Sequence, residues 1–169
     1  MEPIEKMRQD GVEKGLCRLY QMKLRDGLSV KELADLYKEG IDFCINNDYP
    51  SLDFLREHYR GKCEEYGVYV DDRVAGLQNP KTVVLNGKSE AMIQYKGYTV
   101  SRLYLRHDSE ATVCISEFAH VTIDCFDNTR LVVATVGSDA QVLLNVYGQA
   151  QVKATGDGIK VNYKHKNTI

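Results

Sequence analysis

His107-Asp108-Ser109 sets the three side chains of a hydrolase triad in consecutive positions. A working triad needs base beside nucleophile and acid behind base, each brought in from a separate element. Three neighbours in sequence cannot converge that way, so the tripeptide reads as a turn. No Gly-x-Ser-x-Gly elbow offers a nucleophile elsewhere. Asp108, Asp124, Asp127, Asp139 and Asp157 recur near turn residues. Carboxylates spaced along a repeat can hold Ca²⁺ or flank a glycosidic bond. Asx side chains also close turns locally, which is the commoner reason to find them there. His58, Cys63 and Cys44 make a metal-ligand set only if the helices carrying them converge. The five cysteines, at 17, 44, 63, 114 and 125, include no Cys-x-x-Cys pair. They read as reduced thiols that pack like small apolar residues. Phosphate-loop and dinucleotide fingerprints are missing from the chain. The expectation is therefore a protein that is not an enzyme, with no catalytic residue, metal or cofactor.

The elements that would position these residues fall into two groups. Across 169 residues, 22 Lys+Arg oppose 24 Asp+Glu, a net charge of −2 that provides no field to hold a polyanion. The N-terminal portion has helical spacing. Val12, Leu16, Leu19, Tyr20 and Leu24 make one apolar stripe, closed by Gly27. Ser29-Val-Lys-Glu32 is a capping box opening a second helix, with Leu33, Tyr37, Ile41, Cys44 and Ile45 on its inner face. Asn46 through Pro50 ends it, and Ser51 caps a third helix carrying Leu52, Leu55 and Tyr59. Gly11 and Gly15, four apart, mark close packing. Ser29-Val-Lys-Glu-Leu-Ala-Asp-Leu36 has the sound of a helix-turn-helix opening. The apolar pattern nevertheless runs on through Gly40. Residues 1–72 also hold 11 basic against 16 acidic side chains, the wrong sign for a phosphate backbone. The N-terminus carries no basic start and no apolar core of a secretory signal, and no run reaches the ~18 apolar residues of a membrane span. A cytoplasmic or virion location is expected.

From residue 81 the period becomes two, beneath a longer period of ten. Val83, Ile93, Leu103, Val113, Ile123 and Val133 stand ten apart, and Leu85, Tyr95, Leu105, Ile115, Cys125 and Thr135 follow two residues behind. The phase then slips by about one to Val142 with Leu144, Val152 with Ala154, and Val161 with Tyr163. Asn86-Gly87, Lys96-Gly97, His107-Asp108, Asp127-Asn128 and Gly148 lie between the strands. An internal repeat of this kind outranks local signals. The expected fold class is α+β: a helical segment over 1–65, a linker with a candidate short strand over 66–80, and a β-repeat domain over 81–169. The repeat fits a short β-solenoid, because its inward residues keep a near-constant phase and its turns are diverse. An antiparallel β meander or sandwich is the alternative, and Asn86-Gly87 suits its hairpins.

The stretch Ser138-Asp-Ala-Gln-Val-Leu-Leu-Asn-Val-Tyr-Gly-Gln-Ala-Gln-Val-Lys-Ala-Thr-Gly-Asp-Gly158 resembles the small-x-Val repeats of bacterial putative-adhesin β-solenoids, over roughly the last 80 residues. The whole chain is similar to small uncharacterised proteins of gut-bacterial phages and prophages. That likeness implies a virion setting and transfers no functional residue.

Most strands alternate apolar with polar, but two do not. Leu131 to Val136 turns Val132 and Ala134 outward, and Val142 to Tyr147 turns Leu143 and Tyr147 outward. A strand apolar on both faces is covered on both faces. Val132, Leu143 and Tyr147 are therefore the expected interaction residues. The expected function is a non-enzymatic structural or interaction protein acting by assembly, as a homo-oligomer or with another structural protein. Nucleic acid, membrane and small-molecule ligand are not expected partners. The alternative is a carbohydrate-binding or carbohydrate-active solenoid, which would show paired carboxylates in a groove or exposed aromatics such as Tyr98 and Tyr104 on one ridge.

Overall fold

A computed structural model describes residues 3–169. They divide into a helical unit ending at Tyr66 and a β unit spanning Gly67–Thr168.

The helical unit holds α1 (Pro3–Glu13), α2 (Arg18–Lys23), α3 (Val30–Glu39), α4 (Ile41–Asn46) and α5 (Leu52–His58). The single stripe expected from Val12 to Leu24 is broken at Gly15, whose φ of +86° is a left-handed conformation open to glycine. Leu16 and Leu24, both beyond that break, are buried, while Val12 before it and Leu19 after it are exposed. Gly11 alone fills the close-packing role: a Cβ there would lie 2.9 Å from both Leu16 and the Tyr49 hydroxyl, whereas Gly15 has open space. The second expected helix is likewise two, with Gly40 ending α3 and starting α4. The capping box forms as expected. Ser29 Oγ accepts from the Glu32 N–H at 3.2 Å, and Glu32 accepts from the Ser29 N–H at 2.8 Å. The same contacts hold the Glu32 carboxyl below its ordinary range. Large rings carry the packing: Tyr37 meets Tyr59 edge-on at 5.7 Å, and Phe43 meets Tyr49 at 5.5 Å. The Tyr49 hydroxyl donates to Met7 O at 2.7 Å, so its polar tip is satisfied inside the unit.

The β unit is a parallel β-solenoid, not a meander. β1 (Val68–Val70), β3 (Thr82–Asn86), β5 (Val100–Leu105), β7 (His120–Cys125), β9 (Gln141–Val146) and β11 (Ile159–Tyr163) form one sheet in that order. β2 (Arg73–Gln78), β4 (Glu90–Tyr95), β6 (Glu110–Ser116), β8 (Arg130–Val136) and β10 (Gln151–Thr155) form the other. Consecutive strands alternate between the sheets, so two ten-residue units make one coil. Val83 pairs with Leu103 and Leu103 with Ile123, each twenty residues on. The slip in phase appears as Ile123 pairing with Leu144, twenty-one residues on. Inward side chains of both sheets meet in one aliphatic core, with Leu85, Leu103, Ile115, Ile123 and Leu144 fully buried.

Residues 68–78 are solenoid and not linker. β1 pairs with β3 and β2 with β4, with Val68 beside Val84 and Arg73 beside Glu90. These first offsets are sixteen and seventeen residues, so they fall outside the ten-residue phase that reveals the later strands. The turns share one device. Gly87, His107, Asp127 and Gly148 occupy equivalent positions after successive strands, and all four have positive φ. Behind each, a small side chain closes the corner. Ser89 Oγ donates to Asn86 O and Thr129 Oγ1 to Phe126 O, both at 2.7 Å.

Candidate functional site

Each residue singled out above has a definite place. His107 Nδ1 accepts from the Gly87 N–H at 3.0 Å, and the His107 N–H donates to Asp127 Oδ2 at 2.7 Å. Ser109 is buried with its hydroxyl turned to Leu85 O. The tripeptide is a solenoid corner whose side chains hold the neighbouring coils. Asp108, Asp124 and Asp127 serve the same end. Asp124 accepts from Asn145 at 2.8 Å, and Asn145 accepts from Asn162 at 3.1 Å, a polar ladder on the outside of the first sheet. Among the described residues no three His, Cys, Asp or Glu side chains converge on a metal-sized space. His58 lies against the Phe54 ring at 4.3 Å. All five cysteines are free thiols, and burial pushes Cys63 up to about 11.

Val132, Leu143 and Tyr147 are not brought together. Val132, 47% exposed, lies on β8 of the second sheet, and Leu143, 38% exposed, on β9 of the first, so they face opposite ways. Leu143 stands between Thr122 and Lys160 on the neighbouring strands. Tyr147 is only 5% exposed. It follows β9 into the corner and stacks on Phe126 at 4.6 Å, in a column that also includes Arg106 and Asn86, one and two coils before Phe126. A continuous apolar patch through these three residues does not exist. The expected ridge of Tyr98 and Tyr104 is also altered. Tyr104 is buried, while Tyr98 is 86% exposed and stacks on Phe118 at 4.9 Å with ring planes 5° apart.

Two hollows remain. A shallow depression of about 540 Å³ lies on the outside of the second sheet, between Arg73, Glu90, Met92, Glu110, Arg130 and Val132. Glu90 and Glu110 stand on adjacent strands, near the separation a retaining glycosidase uses. Each is held by an arginine, Glu90 by Arg73 and Glu110 by Arg130, both at 3.0 Å. The second hollow, about 200 Å³, lies inside the helical unit among Leu16, Tyr20, Leu36, Phe43 and Tyr49.

The least finished surface is the C-terminal end of the coil. β10 and β11 each pair on one side only, with β8 and β9. In the preceding strands the core positions Leu131, Val133, Val142 and Leu144 are buried. The corresponding Val152, Ile159 and Val161 are only half-buried, and Ala154 is exposed. A coil is closed by the one stacked on it, and among the described residues nothing stacks on this one. Sequence alternation identifies Val152 and Val161 as inward. It gives no sign that they are less covered than Leu131 and Leu144. No family model, no curated protein and no solved structure matches this chain.

Proposed function

We propose that this protein is a non-enzymatic structural component that works by assembly, as a phage or prophage virion protein. The observation that carries the reading is the unclosed last coil, where Val152, Ala154, Ile159 and Val161 meet solvent beside two unpaired strand edges. Such an end is a liability in isolation and a joint when occupied. A parallel solenoid is a rigid spacer, and the phage or prophage setting is the one that the resemblance of the sequence implies. Mass spectrometry of particles purified from the source cell tests this directly. The chain is expected within the particle in fixed proportion to its other components. Recovery only from the soluble fraction would overturn the proposal.

A second reading, glycan binding, is favoured by one observation, the exposed Tyr98–Phe118 stack. Sugar rings pack on such apolar faces. An oligosaccharide array probed with the full chain and with Tyr98→Ala would show binding lost in the variant if that reading held.

A further inference from the structure

The two ends of the solenoid are built differently. At the N-terminal end β1 is buried along its length, and β2 is interrupted by a register shift between Val74 and Leu77. A bulge on an edge strand blocks further pairing. At the other end β10 and β11 are regular through five consecutive pairs each.

The backbone of those edges has a defined polarity. The Val142 N–H donates to Gly158 O at 2.9 Å, and the Lys164 N–H donates to Val146 O at 2.8 Å. Residues of that parity in β11 therefore turn their backbone groups toward β9. Ile159, Val161 and Tyr163 turn theirs away, off the end of the coil. In β10 the Gln151 N–H donates to Thr129 O at 2.9 Å, which leaves Val152 and Ala154 facing the open end. The residues with free-facing backbone are the same ones whose side chains point into the core. The outward positions between them include Lys153 and Lys160. Residues 151–169 contain Lys153, Lys160, Lys164 and Lys166 against a single acid, Asp157.

We propose that the C-terminal coil is a docking site for an extended strand of another protein, with apolar residues on its core side and acidic residues on its outer side. This rests on the assembly reading and names the partner's chemistry. The strand would extend the first sheet beyond β11 by main-chain hydrogen bonds, continue the core over Ile159 and Val161, and set its carboxylates beside Lys160. A second copy of this chain is a poor occupant. Two such ends placed together bring the Lys153 and Lys160 pairs of both copies onto shared outer surfaces.

The test is fluorescence anisotropy of a labelled seven-residue peptide alternating glutamate and valine, titrated with the full chain. Saturable binding is expected, weakened about tenfold or more by Val161→Pro, which removes an outward N–H and no β9 hydrogen bond. Lys160→Glu leaves the backbone intact and keeps the test open if the proline variant unfolds. It is expected to lose the glutamate peptide and accept a lysine–valine peptide. No binding of the glutamate peptide, or binding indifferent to both changes, overturns the proposal. Self-association through this end, seen by sedimentation and abolished by Val161→Pro, also overturns it. Peptide binding without incorporation into particles would defeat the virion reading and leave this site standing. Incorporation without peptide binding would do the reverse.

Discussion

The helical unit and the solenoid reach order by opposite means. In the first, short helices are held by a few large side chains, among them Tyr37, Tyr59, Phe54 and Tyr49, no two of them in equivalent places. In the second, medium aliphatic residues such as Val83, Leu103, Ile123 and Leu144 recur at equivalent positions, each sandwiched between copies of its own environment. Packing is concentrated in one unit and distributed in the other. Single substitutions should therefore do sharply different damage according to where they fall, and this ranking can be checked.

The largest effect is expected for Tyr59→Ala, which removes a fully buried ring from the Tyr37 contact and leaves a void no neighbour can fill; a loss of ~3–5 kcal/mol is expected from urea denaturation of the helical unit. In the solenoid, Ile123→Ala at the centre of the stack should cost ~2–5 kcal/mol, while Val161→Ala in the half-buried last coil should cost less than about 1. Equal costs at those two positions would show that the outermost coil is closed in solution. Next is Gly158→Ala. Gly158 has a φ of +74° and lies against the Ala140 carbonyl, so any Cβ is both strained and crowded. A cost of ~1–3 kcal/mol is expected, seen as faster amide exchange in β11 with β5 and β7 unchanged. Smaller again is Ser29→Ala at the start of α3, at ~1 kcal/mol by thermal unfolding. Its pH dependence has a definite sign. The Glu32 carboxyl is lowered by its hydrogen bonds to Ser29, so its contribution is complete above the ordinary glutamate range and fades as pH falls through the lowered value. Ser29→Ala should shrink that acid-sensitive part. An unchanged acid profile would show that the capping box does not form in solution.

The same contrast explains what the sequence makes legible. A repeat announces itself because each inward residue has a counterpart ten positions away, so β3 to β9 can be read directly. β1 shows only as a candidate short strand and β2 hides, because their coils are shorter and because Gly76 and Pro80 look like linker residues. Helix breaks at Gly15 and Gly40 hide because apolar spacing can run straight across a turn. At the surface, alternation correctly turns Val132 and Leu143 outward. It does not show that successive strands belong to opposite sheets, which sends the two residues apart. Tyr147 fails for another reason: alternation ends with the strand, and the corner follows its own rule. The recurrence of Asn86, Arg106, Phe126 and Tyr147 at intervals of twenty and twenty-one is the signal that identifies that column.

Parallel sheets usually require distant parts of a chain to find one another, and the entropy of closing those long loops makes them slow to fold. In this solenoid every strand pairs with one only sixteen to twenty-one residues away. Contact order is low for an all-β architecture, because each loop to be closed is short. The order of pairing also follows the order of synthesis. A coil emerging from the ribosome meets its template already laid down, one coil for every twenty or so residues translated. Once two coils have paired, each further coil adds to a neighbour already formed, as stacked repeats propagate from unit to unit.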